Sequence, residues 1–400
     1  MDVKKVRKNF PIFQRKIDGR PIVYLDNACM TLKPRQVIEA MNEYYYYFSA
    51  CAGRSIHTLG EEVTVQYESS REKIRKFLNA NDSREIIFTK NATEGINLIA
   101  RSLPLKKDDV VLTTDKEHNS NLVPWHIQKK LNGITHTIIA SRVDNTFDIE
   151  KFENMMNRKV KLVSMVHTSN LDGYTIPASE IIKIAHDYDA LVLLDGAQSA
   201  SYQSVDVQKL DVDFFVCSFH KMLGPTGIGA LYGKYHLFEK LPPFIVGGDT
   251  VEMTTYDSSV FLKPPEKFEA GLQNYAGAIG AGAAADFIAN VGKKNIVKHL
   301  YELNKYVLDQ MISIPEISII GPLDPYLRGG IISFTINNRE PHDVAMFLDT
   351  DNIMVRSGVF CVHSWFHAHG IKGAVRASMY LYNTKEDCEI FLEKLKEFIG

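Results

Sequence analysis

Short, almost wholly apolar runs punctuate the first part of the chain, at residues 85–89, 110–113, 160–166, 191–195 and 214–217. Runs of this length, rich in Val, Ile, Leu and Phe and without alternation, predict strands buried on both faces. Between them, residues 91–102 and 179–188 space their apolar side chains as one face of a helix does. Strands alternating with helices in this way predict a mostly parallel sheet with helices on both sides. Residues 276–304 are rich in Ala and Gly and then charged, which predicts a long helix or a helix pair. Further on, residues 331–335 and 375–378 read as strands, and 385–399 as an amphipathic helix. The expected organisation is a large α/β domain over 15–285, with 1–14 and 286–400 forming a smaller α+β domain.

Composition narrows the class. The 400 residues are 45% hydrophobic, with a formal net charge of −2. That balance argues against an electrostatic nucleic-acid binder and against a polybasic membrane anchor. No stretch approaches the roughly 18 uncharged apolar residues of a spanning helix. Residues 1–20 alternate charged and apolar side chains and lack the apolar centre of a signal peptide. A cytoplasmic location is the expectation. The five cysteines, Cys29, Cys51, Cys217, Cys361 and Cys388, are widely spaced and contain no CxxC. Neither a disulfide framework nor a metal site is expected from them.

Candidate chemistry gathers where the predicted strands end. Lys221 follows one of them in Ser218-Phe219-His220-Lys221, just before the glycine-rich Gly224-Pro225-Thr226-Gly227. A lysine amine forms an imine with an aldehyde cofactor when its site lowers the pKa. Alone, such a lysine reads first as a surface residue. Asp195 closes another apolar strand, in Asp195-Gly196-Ala197-Gln198. An acid at that place suits a ligand in the crevice of an open α/β sheet, although it also suits a turn cap. Beside a pyridine nitrogen it would keep the ring of pyridoxal 5′-phosphate (PLP) protonated. Ala92 and Thr93 open a predicted helix after a strand, a position that suits a phosphate or an ordinary N-cap. His118, in Glu117-His118-Asn119-Ser120-Asn121, is placed to stack on a ring or to serve as a structural hydrogen-bonder. Asn170 adds a further polar group after the strand at 160–166.

Together these stretches resemble the fold-type-I PLP-dependent transferases of class V, and within them the SUF-type (group II) cysteine desulfurases and selenocysteine lyases. The likeness runs from Tyr24-Leu25-Asp26-Asn27-Ala28 to Arg376-Ala377-Ser378 and includes Phe268-Glu269-Ala270-Gly271 and Tyr382-Asn383-Thr384. It implies an α/β fold whose large domain has a mostly parallel seven-stranded sheet, followed by a smaller α+β domain. The resemblance makes Lys221 the Schiff-base lysine and proton shuttle. It sets Asp195 on the pyridine nitrogen, Gln198 on the ring oxygen and His118 over the ring. Ala92, Thr93, Ser218 and His220 would hold the phosphate. Asn170, Arg376 and Arg356 would bind the substrate, and Cys361 would be the thiolate that takes sulfur from L-cysteine as a persulfide. Read without the resemblance, Cys361 is first a packed loop thiol, and the other four cysteines read as packing. The implied partners are a second copy in a homodimer and a sulfur acceptor or iron–sulfur scaffold protein. Selenocysteine lyase activity, transamination, epimerisation, another β-elimination and a weakly catalytic sulfur-relay role are the competing expectations.

Three features depart from the family pattern. Phe360 stands where a His usually precedes the catalytic Cys. Leu272 replaces the Thr that usually follows Phe268-Glu269-Ala270-Gly271. The segment after Cys361 carries His363, His367 and His369 within an aromatic run, which reads as an altered acceptor-recognition loop more readily than as a metal site.

Overall fold

A computed structural model describes residues 1–400. Seven strands form the central sheet: β1 (Ile86–Thr89), β2 (Val110–Thr114), β3 (Thr135–Ile139), β4 (Val160–Val166), β5 (Leu191–Asp195), β6 (Phe214–Ser218) and β7 (Gly229–Gly233). Their spatial order is β1-β7-β6-β5-β4-β2-β3. Only β7 runs against its neighbours, β1 and β6; every other pairing is parallel. The expected mostly parallel sheet is therefore present. The apolar runs at β1, β4, β5 and β6 are nearly all buried, as strands covered on both faces must be. Strand β3 lies at the sheet edge and is half-exposed. Its mixed Thr135-His136-Thr137 start lacks the apolar signature that marks the others.

A second, antiparallel sheet of β8 (Ile317–Ile320), β9 (Ile331–Ile336), β10 (Arg356–Gly358) and β11 (Ala374–Ser378) has the order β8-β9-β11-β10. The chain near its start joins this region. Val23–Tyr24 pairs in parallel with Ile353–Met354, and Asp26 bridges to Ser378.

Among the helices, α1 (Arg35–Tyr47), α2 (Thr58–Leu78) and α3 (Ala92–Ser102) precede the Ala/Gly-rich segment. That segment forms a helix pair, α4 (Tyr275–Val291) and α5 (Lys293–Met311). They part at Gly292, whose φ of +88° would strain a residue with a side chain. The amphipathic C-terminal helix is α6 (Lys385–Ile399), opened by a capping box of Thr384 and Asp387.

The parallel arrangement has one consequence for chemistry. The carboxyl ends of β2, β4, β5 and β6 fall on one side of the sheet, where loops carrying polar residues leave it.

Candidate active site

Those loops, together with the start of α3 and segments from the second sheet, enclose a cavity of about 450 Å³. Lys221 ends a short 3-10 turn, Phe219–Lys221, directly after β6. Desolvation lowers the pKa of its amine, and the Asp195 carboxylate pulls the other way. Asp195 is the last residue of β5, and its Oδ1 accepts a hydrogen bond from the Ala197 amide at 2.9 Å. Burial raises its pKa against that bond and against the Lys221 charge. Gly196 lets the chain turn away here, because a Cβ on it would lie 1.8 Å from Phe215 Cζ. Gln198 sits on the same loop, its Nε2 donating to the Ala28 carbonyl at 2.8 Å.

One end of the cavity is built for an anion. The Asn91 side chain caps α3 by accepting from the Glu94 amide at 3.0 Å. The Ala92 amide donates to Ser218 Oγ at 2.9 Å, which ties the helix start to β6. Thr93 Oγ1 is 2.7 Å from Ser120 Oγ, and His220 lines the same region. Amides and hydroxyls at the start of an eleven-residue helix suit a phosphate. His118 lies beside them with Nδ1 accepting from the Ser120 amide at 3.1 Å. Burial, reinforced by Lys221 and Arg376, lowers its pKa to about 3, so the imidazole is neutral at ordinary pH.

The other end is built for a carboxylate. Arg376 is buried on β11; its Nη1 donates to the Asn170 carbonyl at 3.0 Å, and its Nη2 lies 3.4 Å from Asp26 Oδ1. Its Nε is buried without a partner, as is Asn170 Oδ1. Arg356, at the start of β10, pairs with Asp26 Oδ2 at 2.9 Å. Cys361 is exposed, on a loop held against this end of the cavity. The Asn119 amide donates to the Cys361 carbonyl at 2.7 Å, and Asn170 Nδ2 to the Phe360 carbonyl at 2.8 Å. Phe360 and Cys361 both have positive φ, at +50° and +59°. Two consecutive non-glycine residues in that region are strained, at a cost of about 1–2 kcal/mol each.

Every residue that the sequence marked for the site, from Ala92 to Arg376, lines this one cavity. The sequence reading missed Cys29, Ser120 and His363, which line it as well. Cys29 was read as packing and is not: Arg356 Nη2 donates to its Sγ at 2.7 Å. The three histidines after Cys361 diverge. His363 Nδ1 lies 3.0 Å from Asn119 Nδ2, whereas His369 stacks on Trp365 with ring centroids 4.1 Å apart. Phe360, in place of the expected His, puts its ring 4.7 Å from the Arg376 guanidinium carbon.

The donor set fits PLP. A buried acid and a desolvated amine line one cavity with a helix start and two hydroxyls that offer a phosphate seat, and a neutral imidazole lines it beside Ser120. A lysine and an acid so placed, at the carboxyl ends of a mostly parallel sheet, define a PLP-type α/β enzyme. The chain belongs to the aminotransferase class-V family, whose pattern matches residues 23–391. It is 42% identical to a "Probable cysteine desulfurase" of Halalkalibacterium halodurans, over 100% of this chain and 99% of that one. It is 38% identical to a "Cysteine desulfurase" of Enterobacter sp., over 98% of this chain and 97% of that one. Its fold is similar to the apo structure of a cysteine desulfurase from Thermococcus onnurineus, with a TM-score of 0.95, 36% identity, and coverage of 99% and 98% of the two chains.

Proposed function

We propose that the protein is a PLP-dependent L-cysteine desulfurase that forms a persulfide on Cys361 and releases L-alanine. The observation that carries this reading is the placement of Cys361, Lys221 and Arg376 around one cavity. The names of the full-length relatives support it.

PLP, when bound, supplies an electron sink for the negative charge that develops at the substrate α-carbon. Arg376 receives the substrate carboxylate through its unpartnered Nε, with Asn170 beside it. Lys221 Nζ takes the α-proton, a role that its desolvated amine suits. The Cys361 thiolate attacks the substrate sulfur. The S–S bond forms as the Cβ–S bond breaks with its electron pair on carbon; a proton taken up at that carbon, and return of the α-proton from Lys221 Nζ to the α-carbon, complete alanine. The exposed position of Cys361 then lets a second protein collect the sulfur.

The finer parts of the proposal concern assembly. The enzyme acts as a homodimer of the SUF type, in the cytosol, and passes sulfur to an acceptor such as an iron–sulfur scaffold. No helix is long and apolar enough to cross a membrane. The seven-stranded and four-stranded sheets support a division into a larger and a smaller part, for which 15–285 and 1–14 with 286–400 are the proposed bounds, although Val23–Tyr24 pairs with Ile353–Met354 and residue 285 falls within α4.

Incubating the purified protein with L-cysteine and a reductant tests the reaction. Alanine and sulfide are expected in equal amounts and should be lost in Cys361→Ser. Undiminished sulfide from that variant would remove Cys361 from the mechanism, and activity restricted to selenocysteine would make the protein a lyase of that substrate. Lys221→Ala should abolish the visible absorbance of the lysine-bound cofactor.

A further inference from the structure

We infer that Cys29 is a second sulfur-carrying thiol of this site, accepting the outer sulfur of the persulfide formed on Cys361. The inference rests on the desulfurase reading and extends it from one thiol to two. Cys29 and Cys361 reach the same cavity from segments far apart in the chain. Both thiols are also close enough to Lys221 to act on its charge.

The two thiols are mounted differently. Cys29 follows a segment that is fixed on several sides. The Ala28 amide donates to Ser378 Oγ at 2.9 Å, Gln198 Nε2 donates to the Ala28 carbonyl at 2.8 Å, and Asn27 Nδ2 donates to Asn383 Oδ1 at 3.1 Å. Cys361 lies on the strained turn described above. A strained loop that carries one thiol into a cavity lined also by a fixed thiol suits a handover between them. Arg356 connects the two mounts. It stands on the strand that leads into the Cys361 loop, and its Nη2 donates to Cys29 Sγ at 2.7 Å. A guanidinium there stabilises negative charge on that sulfur as it reacts.

The other cysteines lack this setting. Cys217 and Cys388 are buried, and burial pushes both thiols up, Cys217 to about 12. Cys51 lies outside the cavity, its Sγ 3.9 Å from Tyr275 Oη.

The step is a sulfur exchange of the thiol–disulfide kind. The Cys29 thiolate attacks the outer sulfur of the Cys361 persulfide, and a new S–S bond forms on Cys29. The bond from that sulfur to Cys361 breaks, and its electron pair stays on Cys361 as a thiolate. The proton released by Cys29 is matched by the proton taken up by the new persulfide. Nothing is oxidised or reduced, so no further reagent is needed. Cys361 is thereby freed for another turnover before an acceptor arrives, and the chain stores two sulfurs.

The test is a burst measurement on the PLP-loaded enzyme with L-cysteine, without reductant or acceptor, followed by alkylation and peptide mass mapping. Wild type is expected to release about two alanines per chain, and Cys29→Ala about one. The Cys29 peptide should gain about 32 Da, and only when Cys361 is present. One alanine per chain from wild type, with an unmodified Cys29 peptide, would overturn the inference. A second sulfur found on the Cys361 peptide would do the same. So would a Cys29–Cys361 disulfide, which means attack at the inner sulfur with loss of sulfide. No alanine at all from wild type would refute the desulfurase reading itself, and this inference with it.

Discussion

Asp195 and its neighbours show how single residues set the site. The acid lies at the end of a buried strand, and the nearest balancing charge is the Lys221 amine. Asp195→Asn keeps the shape and removes the charge. Loss of a fixed charge that stabilises the reacting group costs on the order of a hundredfold in rate. A fall of that size in kcat, with a shifted cofactor absorbance, is the expected outcome; unchanged kcat would remove Asp195 from its role. Gly196→Ala forces a methyl into Phe215 Cζ. Overpacking of this kind destabilises by about 1–3 kcal/mol or more, which a lowered Tm would report. Lys221, Asp195 and Asn170 were legible in the sequence because each follows an apolar strand whose end is visible in the chain. Cys29 was not. Its place on the cavity depends on a loop docking against Ser378, 350 residues away, and no local pattern encodes that contact.

At the scale of elements, two buried acids fasten the framework around the site. Glu117 lies beyond β2 and accepts from the Thr114 hydroxyl at 2.6 Å, the Val166 amide at 3.0 Å and Asn121 Nδ2 at 2.7 Å. It thereby joins the ends of β2 and β4. Burial, against those bonds, raises its pKa to about 7. A carboxyl whose pKa is raised on folding contributes stability below its unfolded value, and that contribution is lost as pH rises through the folded one. Over the interval from about 4.5 to about 7 the loss is about 3 kcal/mol. Denaturant titrations should therefore show Glu117→Gln gaining on wild type as pH rises across this window; a constant difference would refute the assignment. Glu269 belongs to the Phe268-Glu269-Ala270-Gly271 stretch that the sequence flagged without a role. It accepts from Arg71 Nη1 at 2.7 Å and Nη2 at 2.9 Å, from Tyr67 Oη at 2.8 Å and from the Phe88 amide at 2.7 Å. The motif therefore binds α2 to β1. Glu269→Ala removes the buried carboxylate of the Arg71 guanidinium and leaves it only the half-exposed Glu68 and the Ile86 carbonyl, which should cost about 3 kcal/mol, read as a loss of unfolding free energy. The strands were legible wherever both faces are covered. Edge strand β3 escaped because half of it faces solvent and its sequence is correspondingly polar.

The whole molecule leaves apolar side chains outside that the single chain does not cover. Ile56 and Leu272 are exposed, the latter at 71%. Their segments meet on one face: Arg54 pairs with Asp249, and the Gly271 amide donates to the Gly248 carbonyl at 2.8 Å. Asn274 Nδ2 donates to the Gly227 carbonyl at 3.0 Å, which connects this face to the glycine-rich turn after Lys221. We propose that this face belongs to the homodimer surface. The proposed homodimer gives that surface its partner and places it next to the phosphate end of the cavity. Leu272, which replaces the Thr of the family pattern, would then contribute burial at that proposed interface. Sedimentation should give twice the chain mass for the wild-type protein. The double variant Ile56→Asp, Leu272→Asp buries two charges in the proposed interface, and a shift toward monomer together with weaker PLP retention is expected. A wild-type monomer that holds PLP fully would show that the cavity is complete within one chain and would remove the interface from the mechanism.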